Sequence, residues 1–555
     1  MWKARPTLFS AFSSEKTSPF NLSLFRIAIF GILLSFDLES SHWYAQLPST
    51  LQFPPTGLSP ILPFLSTDPT LVSVTSVIFR IACLFGLFGL FTRTSAAVAL
   101  ISGLYVLGIP QFYGKVNHFH HVLWFTALLV PSRCADVLSV DAILFSRSSP
   151  QVDSPDPART YSLPLRYAWI LLGIVYFFPG VWKFAGEGFA WAFSENLKYR
   201  MHSAWFVRSF VPPLRIDQYP VLYQSAGLFT ILFEIGFVFT LPFRSLRPWA
   251  VGSAFFFHEA TRFSLGIFFS KLYPVLPFLL DMREGFRRLG GRLYAKRLTL
   301  TYDPSTNWQR TVVGSLLRMD LFDRLRAREK GEGEGKGEAF AIAGTRPEEA
   351  ALWEDGRLHW GRLFQVVWFV PIALPLLPLV PFAKSSFPSF PVRFQGGSTR
   401  AVSIIGGVLI AANVLCGIAK VNSYPFSVYP TFAVRADSTI TTLQVEGIDE
   451  SGQRIEVLGG AQDHEQAGFS SARFKGFVRS IRRIDDHEER TERLHALWSV
   501  LRNRRSELKS IKEVRFYRAT YSTNPDRVSD PLLDRTLVAK LDVSGHSLPS
   551  VAGSS

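Results

Sequence analysis

One lysine at the end of a long apolar run is the first candidate for chemistry. From Tyr167 to Trp182 the chain carries no charge, and Lys183 follows directly, just after the helix-kinking pair Pro179-Gly180. An ammonium at the edge of an apolar span must reach back to the interface or face a polar cavity. Lys183 is therefore either an anchor at a helix end or a general base held in dry surroundings.

A second polar group opens an earlier apolar run, at 118–131. Its residues are Lys115, Asn117, His118, His120 and His121. On a helix His118 and His121 would share a face three residues apart, and Asn117 would join His121 at a spacing of four. A cavity-facing hydrogen-bond network and plain interfacial histidines are both open interpretations. A metal site is a third, but the spacing alone is weak support for one.

A lone carboxylate, Glu234, lies at the middle of the apolar run GLFTILFEIGFVF. Such a group should be neutral or paired with a basic group of another helix. The candidate partners are Lys183, Arg80 and Arg262. The plain interpretation is that Glu234 joins two helices.

Two further runs contain ionisable groups. His258, Glu259 and Arg262 crowd one of them, which favours a proton-handling site or an ion pair between Glu259 and an arginine. In the first run Arg26 and Asp37 lie eleven residues apart, so they share a helix face but are too distant to pair. Arg26 is either an interfacial anchor or a functional group.

These residues must be positioned by membrane helices. The 555-residue chain has 50 Phe and only 19% charged residues, which is typical of a polytopic helical membrane protein. No nucleic-acid-binding motif accompanies the net charge of +15, so orientation or anionic lipid explains it better. We predict an all-α membrane protein of about eight to ten transmembrane helices. The apolar runs are 22–38, 71–91, 95–113, 118–131, 165–183, 220–243, 248–269, 364–382 and 401–420.

Composition divides the chain into five parts. A Gly/Glu/Lys run has too little apolar surface to order itself, so 328–340 is predicted to be flexible. In the insertion, residues 297–303 are predicted as a strand and 308–326 as a helix. In the tail, strand-like alternation at 439–448 and 453–459, joined by the turn DESG, and a charged helical stretch at 477–508 predict an extramembrane α+β domain. The parts are an N-terminal segment 1–17, a transmembrane domain 18–282, a small α/β insertion 283–363, two further membrane helices within 364–420, and a soluble C-terminal domain 421–555.

Charge predicts the orientation. Residues 39–70 contain no Lys or Arg, so the positive-inside rule places this loop outside and the N-terminus in the cytoplasm. Alternation then puts 132–164 and Arg244–Arg247 inside and the segment after Lys183 outside. The basic segment 184–219 fits this scheme less well. The three cysteines are dispersed and predict buried structural thiols rather than a disulfide or zinc framework.

Five stretches carry a resemblance to a known family. They are FRIAIFGILLSFD, the FPPTG loop, NHFHHVLWFTALLVPSRCADVLSVD, YFFPGVWK and FHEATRFSLGIFF, in matching order over about residues 18–282. In these stretches the chain resembles the HTTM family, the membrane domain shared by vitamin K-dependent gamma-carboxylase and many bacterial proteins.

The resemblance implies roles for individual residues. In the carboxylase, the position that matches Lys183 is the base that deprotonates vitamin K hydroquinone, and polar positions line the same cavity. It implies a reduced quinone as cofactor and no metal. Asn117, His118 and His258 match those polar positions. We predict Lys183, His118 and His258 as catalytic residues, and Asn117, His121 and Trp182 as cofactor-binding residues.

The sequence also departs from the family pattern. The paired lysines of the carboxylase become Trp182-Lys183, and Phe269-Ser270 stand where a proline is usual. No counterpart of the propeptide-binding region is found. These departures argue against carboxylation of protein glutamates, which stays an alternative.

The insertion carries a second resemblance. LTLTYDPSTNWQRTVVGSLLRMDLFDRL is similar to the first strand and helix of a DCC-type thiol-disulfide oxidoreductase module, which is thioredoxin-like. Thr306 and Gln309 stand at its cysteine positions, and without a thiolate there is no dithiol exchange. The resemblance therefore implies a degenerate module.

Two classes of function follow. The first is an integral-membrane enzyme, carboxylase- or epoxidase-like, that acts on a quinone-like or lipid substrate with Lys183 as base. The second is a non-catalytic membrane scaffold that binds a protein partner through 421–555. Transport ranks below both, because no repeated halves are evident.

Overall fold

The computed structural model describes most of the chain. The described residues are 12, 14–114, 116–144, 157–294, 297–329, 340–343, 351–354, 357–358, 398–427, 429, 432–458, 481, 484, 486–527 and 531–543.

The described residues contain fifteen labelled α-helices and nine strands. The helices are α1 (Pro19–Leu34), α2 (Glu39–Ala45), α3 (Pro69–Phe88), α4 (Thr92–Val106), α5 (His120–Leu129), α6 (Val140–Leu144), α7 (Arg159–Glu187), α8 (Ala190–Phe193), α9 (Asn196–Arg208), α10 (Pro220–Thr240), α11 (Arg247–Leu265), α12 (Met282–Leu293), α13 (Asn307–Met319), α14 (Thr399–Ile418) and α15 (His487–Arg504). The strands are β1 (Leu298–Tyr302), β2 (Leu325–Glu329), β3 (Phe340–Ala343), β4 (Ala351–Glu354), β5 (Arg357–Leu358), β6 (Thr439–Asp449), β7 (Arg454–Leu458), β8 (Ile511–Ser522) and β9 (Leu532–Asp542).

Local sequence sets where the long helices begin. Ser18 caps α1, Asp68 caps α3 by accepting from Leu71 N at 2.8 Å, and Ser398 caps α14. Short polar side chains at this position satisfy backbone N–H groups that lack an intrahelical partner. Pro19 and Pro69 occupy the first helical position, where a missing N–H costs nothing.

Five stretches are long and apolar enough to cross a membrane: Pro69–Phe88, Thr92–Phe112, Arg159–Glu187, Pro220–Thr240 and Thr399–Ile418. Helices α1 and α2, bent by 46° at a short break, make a sixth if they cross together. The fold of the described residues is thus mostly helical, with five or six candidate spans rather than about eight to ten.

Three of the nine predicted runs are not among these candidate spans. The run at 118–131 forms α5, which is only 10 residues long. The run at 248–269 forms α11, which is not among the five because charged residues and a histidine dilute its apolar character. The predicted span 364–382 lies outside the described residues.

The N-terminal segment and two loops meet at one end of the bundle, which we call the first face. Glu15 pairs with Arg247 at 2.7 Å, and Thr17 forms a bridge with Ala158. The loops before α7 and before α11 therefore lie beside the start of α1, as alternation predicted.

The C-terminal domain lies at the opposite end, the second face. Arg493 of α15 donates to Gln52 O at 3.0 Å, and Arg435 pairs with Glu187 at 3.3 Å. This domain therefore shares its face with the loop 39–70 and with the end of α7.

Arg26 joins α1 to the loops of the first face. It is fully buried, and it donates to Cys134 O at 2.9 Å and to Leu138 O at 2.5 Å. It is therefore a structural donor inside the protein and not an interfacial anchor. The expected alignment with Asp37 on one helix was wrong, because α1 ends at Leu34.

The insertion forms a five-stranded sheet in the order β2-β1-β3-β4-β5. Parallel strands β1 and β2 are joined by α13, and β3 and β4 follow antiparallel. Strand β1 and helix α13 lie where the sequence predicted a strand and a helix, whereas strand β2 was not predicted. The predicted helix at 308–326 ends at Met319, and 325–329 are strand, so the predicted linker 328–340 begins inside β2. Residues 330–339 lie outside the description.

The positions that would hold a dithiol have a structural role. Thr306 precedes α13, and Gln309 in its first turn accepts from Asp303 N at 2.7 Å. The chain has three cysteines, and all of them lie in or beside the membrane helices: Cys83, Cys134 and Cys416.

The C-terminal domain is an antiparallel sheet in the order β7-β6-β8-β9. Its first hairpin closes as predicted from DESG: Asp449 Oδ1 accepts from Ser451 N and Gln453 N, each at 2.9 Å, and Gly452 has φ +83°. Helix α15 covers the sheet, and it begins at His487, ten residues later than the predicted 477. The predicted helix end at 508 is shortened to Arg504.

A polar cluster at the second face ties the bundle to this domain. Asp217 accepts from His202 Nε2 and from Arg215 Nε, each at 2.9 Å, and Arg215 also reaches Asp526 at 3.2 Å. The basic segment 184–219 thus lies on the face that alternation predicted, with part of its charge paired.

We expect Gly406→Ala to destabilise the packing of α14 on α7. A Cβ at Gly406 would lie 2.4 Å from the ring of Tyr167, so the helices would have to separate, at a cost of about 1–3 kcal/mol. The matched control is Gly407→Ala, because nothing lies within 4 Å of a Cβ there. Thermal unfolding of the full chain in detergent should show a lower midpoint for Gly406→Ala alone. Equal midpoints would contradict this packing.

We expect Asp217→Asn to destabilise the chain in a pH-dependent manner. Burial raises the pKa of Asp217, but the hydrogen bonds from Arg215 and His202 outweigh it, so the pKa is lowered. The stabilisation is therefore present above the unfolded value of about 3.9 and is lost as pH falls through the folded pKa. The unfolding midpoints of wild type and variant should differ at pH 7 and converge as the pH falls below the folded pKa of Asp217. The exposed partner offers a control, since Asp526→Asn should have little effect; a pH-independent difference would refute the linkage.

Candidate active site in the helix bundle

The decisive contact is an ion pair between Lys183 of α7 and Glu234 of α10. Lys183 Nζ donates to both carboxylate oxygens, at 2.8 Å and 2.6 Å. The lysine side chain is 1% exposed and the glutamate side chain 8%. Lys183 therefore turns into the bundle and is not a snorkelling anchor, and it is the partner of Glu234 among the three candidates.

Small residues let the two helices approach closely enough for this pair. A Cβ at Gly180 would lie 2.8 Å from Glu234 Cβ and 3.0 Å from Ile235 N. Glycine at this point brings α10 against α7 one turn before Lys183. The helix continues through Pro179 to Glu187, so the expected kink signal does not end it.

The indole of Trp191 closes one side of the pair. Its ring centroid lies 5.5 Å from Lys183 Nζ, within the range of a cation–π contact. Trp191 Nε1 donates to Phe432 O at 3.1 Å, and Asn196 Nδ2 donates to Trp191 O at 3.2 Å. A segment that leads into the C-terminal domain thus fixes the aromatic wall of the site.

Tyr176 and His258 form a second polar contact on the same side of α7. Tyr176 precedes Lys183 by seven residues, two helical turns, so both side chains project from one face. The Tyr176 hydroxyl lies 2.6 Å from His258 Nε2, and both residues are buried. His258 Nδ1 has no partner among the described residues. We call Lys183, Glu234, Trp191, Tyr176 and His258 the lysine cluster.

Histidines and tyrosines form another group nearer the second face. His120 is fully buried, its ring 5.0 Å from that of Tyr424 and 5.6 Å from that of Tyr429. Neither ring nitrogen of His120 has a partner in the described part of the chain. His121 Nε2 lies 3.3 Å from Lys271 O, and the ring of His118 lies 5.0 Å from that of Tyr429. We call His118, His120, His121, Tyr424 and Tyr429 the histidine cluster.

One irregular segment runs between the two clusters. Residues 266–281 lack α-helix, and the ring of Phe269 packs on His258 at 4.8 Å while Lys271 O faces His121. Its Leu276–Leu279 turn is buried, and Trp169 Nε1 donates to Phe278 O at 2.8 Å. Irregular backbone at this depth is tolerated where protein surrounds it or where it lines a cavity.

Two of the three predicted catalytic residues lie in one cluster, and the third lies apart from them. Lys183 and His258 are buried in one cluster and are connected through Tyr176 and α7. His118 is exposed, because α5 begins only at His120 and His118 stands in the loop before it. The helical pairing expected for His118 and His121 was therefore wrong.

The predicted cofactor-binding residues are also divided. His121 is buried in the histidine cluster, and Asn117 is half-buried, with its N–H donating to Gln111 Oε1 at 2.6 Å. Trp182 turns toward α14, where its Nε1 donates to Gly417 O at 2.8 Å. Lys115 lies outside the described residues.

The crowded run in α11 separates into two sides. His258 points inward, whereas Glu259 and Arg262 are more than half exposed and pair at 3.6 Å. Tyr273 also donates to Glu259, at 2.7 Å. The ion pair that was one interpretation of this run is thus present, but on the outer surface of the helix.

Sequence reasoning missed Tyr176 and the importance of His120. Tyr176 is a neutral residue in an apolar run, and only its spacing of seven from Lys183 could have indicated it. His120 was one of three neighbouring histidines, and the burial of one rather than another depends on where α5 begins. Within the described residues, no group of three or more His, Cys, Asp or Glu is placed to hold a metal ion.

Comparison with known protein families identifies the domain that contains this site. The model of the HTTM domain matches residues 15–278. This chain carries an HTTM domain. The match contains Lys183, Glu234 and the helices α5 and α11, which carry His120, His121 and His258. With the candidate spans, it fits an integral membrane protein. Neither the curated proteins nor the solved structures compared with the chain include a match.

We expect the buried pair of the HTTM domain to show strong coupling. Lys183→Met or Glu234→Leu alone leaves an unpaired buried charge and should cost about 3–5 kcal/mol of unfolding free energy. The double variant Lys183→Met/Glu234→Leu should recover most of that loss, because neither charge remains. Unfolding in detergent, in a double-mutant cycle, measures the coupling.

The exposed pair of α11 provides the control for this cycle. Glu259→Gln and Arg262→Met should each cost less than about 1 kcal/mol and should show little coupling. Additive losses for Lys183 and Glu234 would show that the two groups do not form a pair in the folded protein.

Proposed function

We propose that this HTTM protein is a membrane enzyme that removes a proton from a quinone-like or lipid substrate, with Lys183 as the base. The observation that carries the proposal is the burial of Lys183 against a single carboxylate and one aromatic wall. Such dry surroundings are where a lysine can act as a base.

The pair with Glu234 gives the base a way to become neutral. Proton transfer from Lys183 to Glu234 leaves an amine and a carboxylic acid, neither of which needs water to solvate a charge. The free amine can then accept the proton of an acidic substrate hydroxyl. In this proposal Glu234 holds the lysine in position and stores its proton.

His258 is proposed as the second catalytic group. The hydrogen bond with Tyr176 fixes one ring nitrogen, and the other faces the interior without a partner among the described residues. His121 and Asn117 remain proposed contacts of the cofactor, a reduced quinone. His118 and Trp182 are weaker proposals, because His118 is exposed and the Trp182 indole N–H is already bonded. No contact among the described residues favours carboxylation of a peptide glutamate.

A scaffold role is the second candidate function, and one observation favours it. The carboxylate of Glu234 is fully engaged by Lys183, which is also what a pair that merely joins α7 to α10 requires. The C-terminal domain would then bind a protein partner.

We further propose that the first face is cytoplasmic. The loop 39–70, without Lys or Arg, lies on the second face together with the C-terminal domain. By the positive-inside rule that face is external.

The test of the enzyme proposal is oxygen-dependent oxidation of reduced quinones by the purified full chain. Lys183→Ala should lower turnover by about a hundredfold or more, because general-base catalysis contributes at least that much. Lys512→Ala, which removes a half-exposed lysine of the C-terminal domain, should leave turnover unchanged.

A folded but inactive variant separates catalysis from stability. Lys183→Met/Glu234→Leu keeps the volume of the pair and removes the base. If it unfolds like wild type and oxidises no quinone, Lys183 is catalytic. If it retains full turnover, or if wild type oxidises none of the quinones, the scaffold interpretation stands.

A further inference from the structure

Helix α12 has one packed side and one side without a protein partner among the described residues. On the packed side, Gly290 meets Phe322 and the guanidinium of Arg283 lies 3.9 Å above the ring of Phe20. On the other side Leu289 and Leu293 are 43% and 60% exposed, one turn apart. Exposed apolar side chains that lie together mark a contact with a membrane or with another protein.

Arginines border these leucines. Met282–Leu293 holds four arginines against one glutamate, and Arg288 and Arg292 are exposed beside Leu289 and Leu293. Arg288 Nε donates to Glu284 at 2.8 Å, and the Arg288 side chain is 75% exposed. Guanidinium groups of this kind match the geometry of phosphate oxygens.

The position of α12 relative to the apolar spans suggests what covers this side. Arg244, in the loop between α10 and α11, lies 3.9 Å from Asp281, the residue that caps α12. Trp249, in the first turn of α11, is 77% exposed. Tryptophan at the end of a membrane helix is typical of the boundary between hydrocarbon and water. Helix α12 therefore begins at that boundary.

We propose that the exposed side of α12, formed by Arg288, Leu289, Arg292 and Leu293, lies in the headgroup layer of the first face and binds anionic phospholipids. The leucines enter the boundary of the acyl chains, and the arginines bind headgroup phosphates. The helix then holds the insertion against the membrane surface. This role does not depend on catalysis by Lys183.

Native mass spectrometry of the detergent-solubilised full chain tests the proposal. Titration with phosphatidylglycerol and with phosphatidylcholine should show tighter binding of the anionic lipid. Arg288→Gln/Arg292→Gln should weaken phosphatidylglycerol binding by about thirtyfold, since each arginine near a lipid surface contributes about a factor of five. Arg288→Lys/Arg292→Lys should retain most of the affinity.

The control removes the same charge elsewhere. Arg518→Gln/Arg527→Gln takes two exposed arginines from the C-terminal domain and should leave lipid binding unchanged. Thermal unfolding checks that the variants are folded, as expected for exposed positions. Equal binding of both lipids, an equal loss in the control, or displacement of phosphatidylglycerol by millimolar inorganic phosphate would each overturn the proposal, the last because it indicates a site for a soluble anion.

Discussion

The Lys183–Glu234 pair is the constraint on which the bundle depends. Two opposite charges in an apolar interior are tolerated only when they meet with good geometry, and here both carboxylate oxygens lie within 2.8 Å of the ammonium. The close approach at Gly180 follows from that need, because the short side chain of Glu234 cannot reach across a wider gap. The pair joins α7 to α10, and two turns earlier on the same face of α7 the Tyr176 hydroxyl meets His258 of α11.

The same pair would serve either catalysis or the joining of two helices. A salt bridge that only joins helices and a base with its proton store need the same two groups at the same distance. What differs is the surroundings. A salt bridge that only joins two helices needs no more than apolar contacts around it. The lysine cluster instead places a tryptophan, a tyrosine and a histidine beside one face of α7. One ring nitrogen of His258 is bonded to Tyr176, and the other has no partner among the described residues.

Sequence patterns predicted the parts of the fold that rest on local signals. Among the described residues, the helices of the long apolar runs, the DESG hairpin and the strand before Thr306 depend on neighbouring residues, and they are present. The predicted starts of α5 and α15 were wrong, and so was the predicted helix end at 326, where strand β2 lies. These boundaries depend on contacts distant in sequence. For the site, charge inside an apolar run identified Lys183, Glu234 and His258. It could not identify which histidine of the 118–121 group would be buried, because that is decided by packing against Tyr424 and Tyr429, about 300 residues away.

The position of the C-terminal domain links both proposed functions. Phe432, at the start of that domain, accepts the hydrogen bond of Trp191, and Arg435 pairs with Glu187 four residues after Lys183. The lysine cluster therefore lies beneath the second face, and the segment that leads to the domain forms part of its wall. A molecule that approached Lys183 from that face would have to pass beside this segment, and a partner that moved the domain would pull on Trp191. An enzyme and a scaffold of this architecture would thus share one physical element, the contact between Phe432 and Trp191, through which events outside the bundle reach the buried pair.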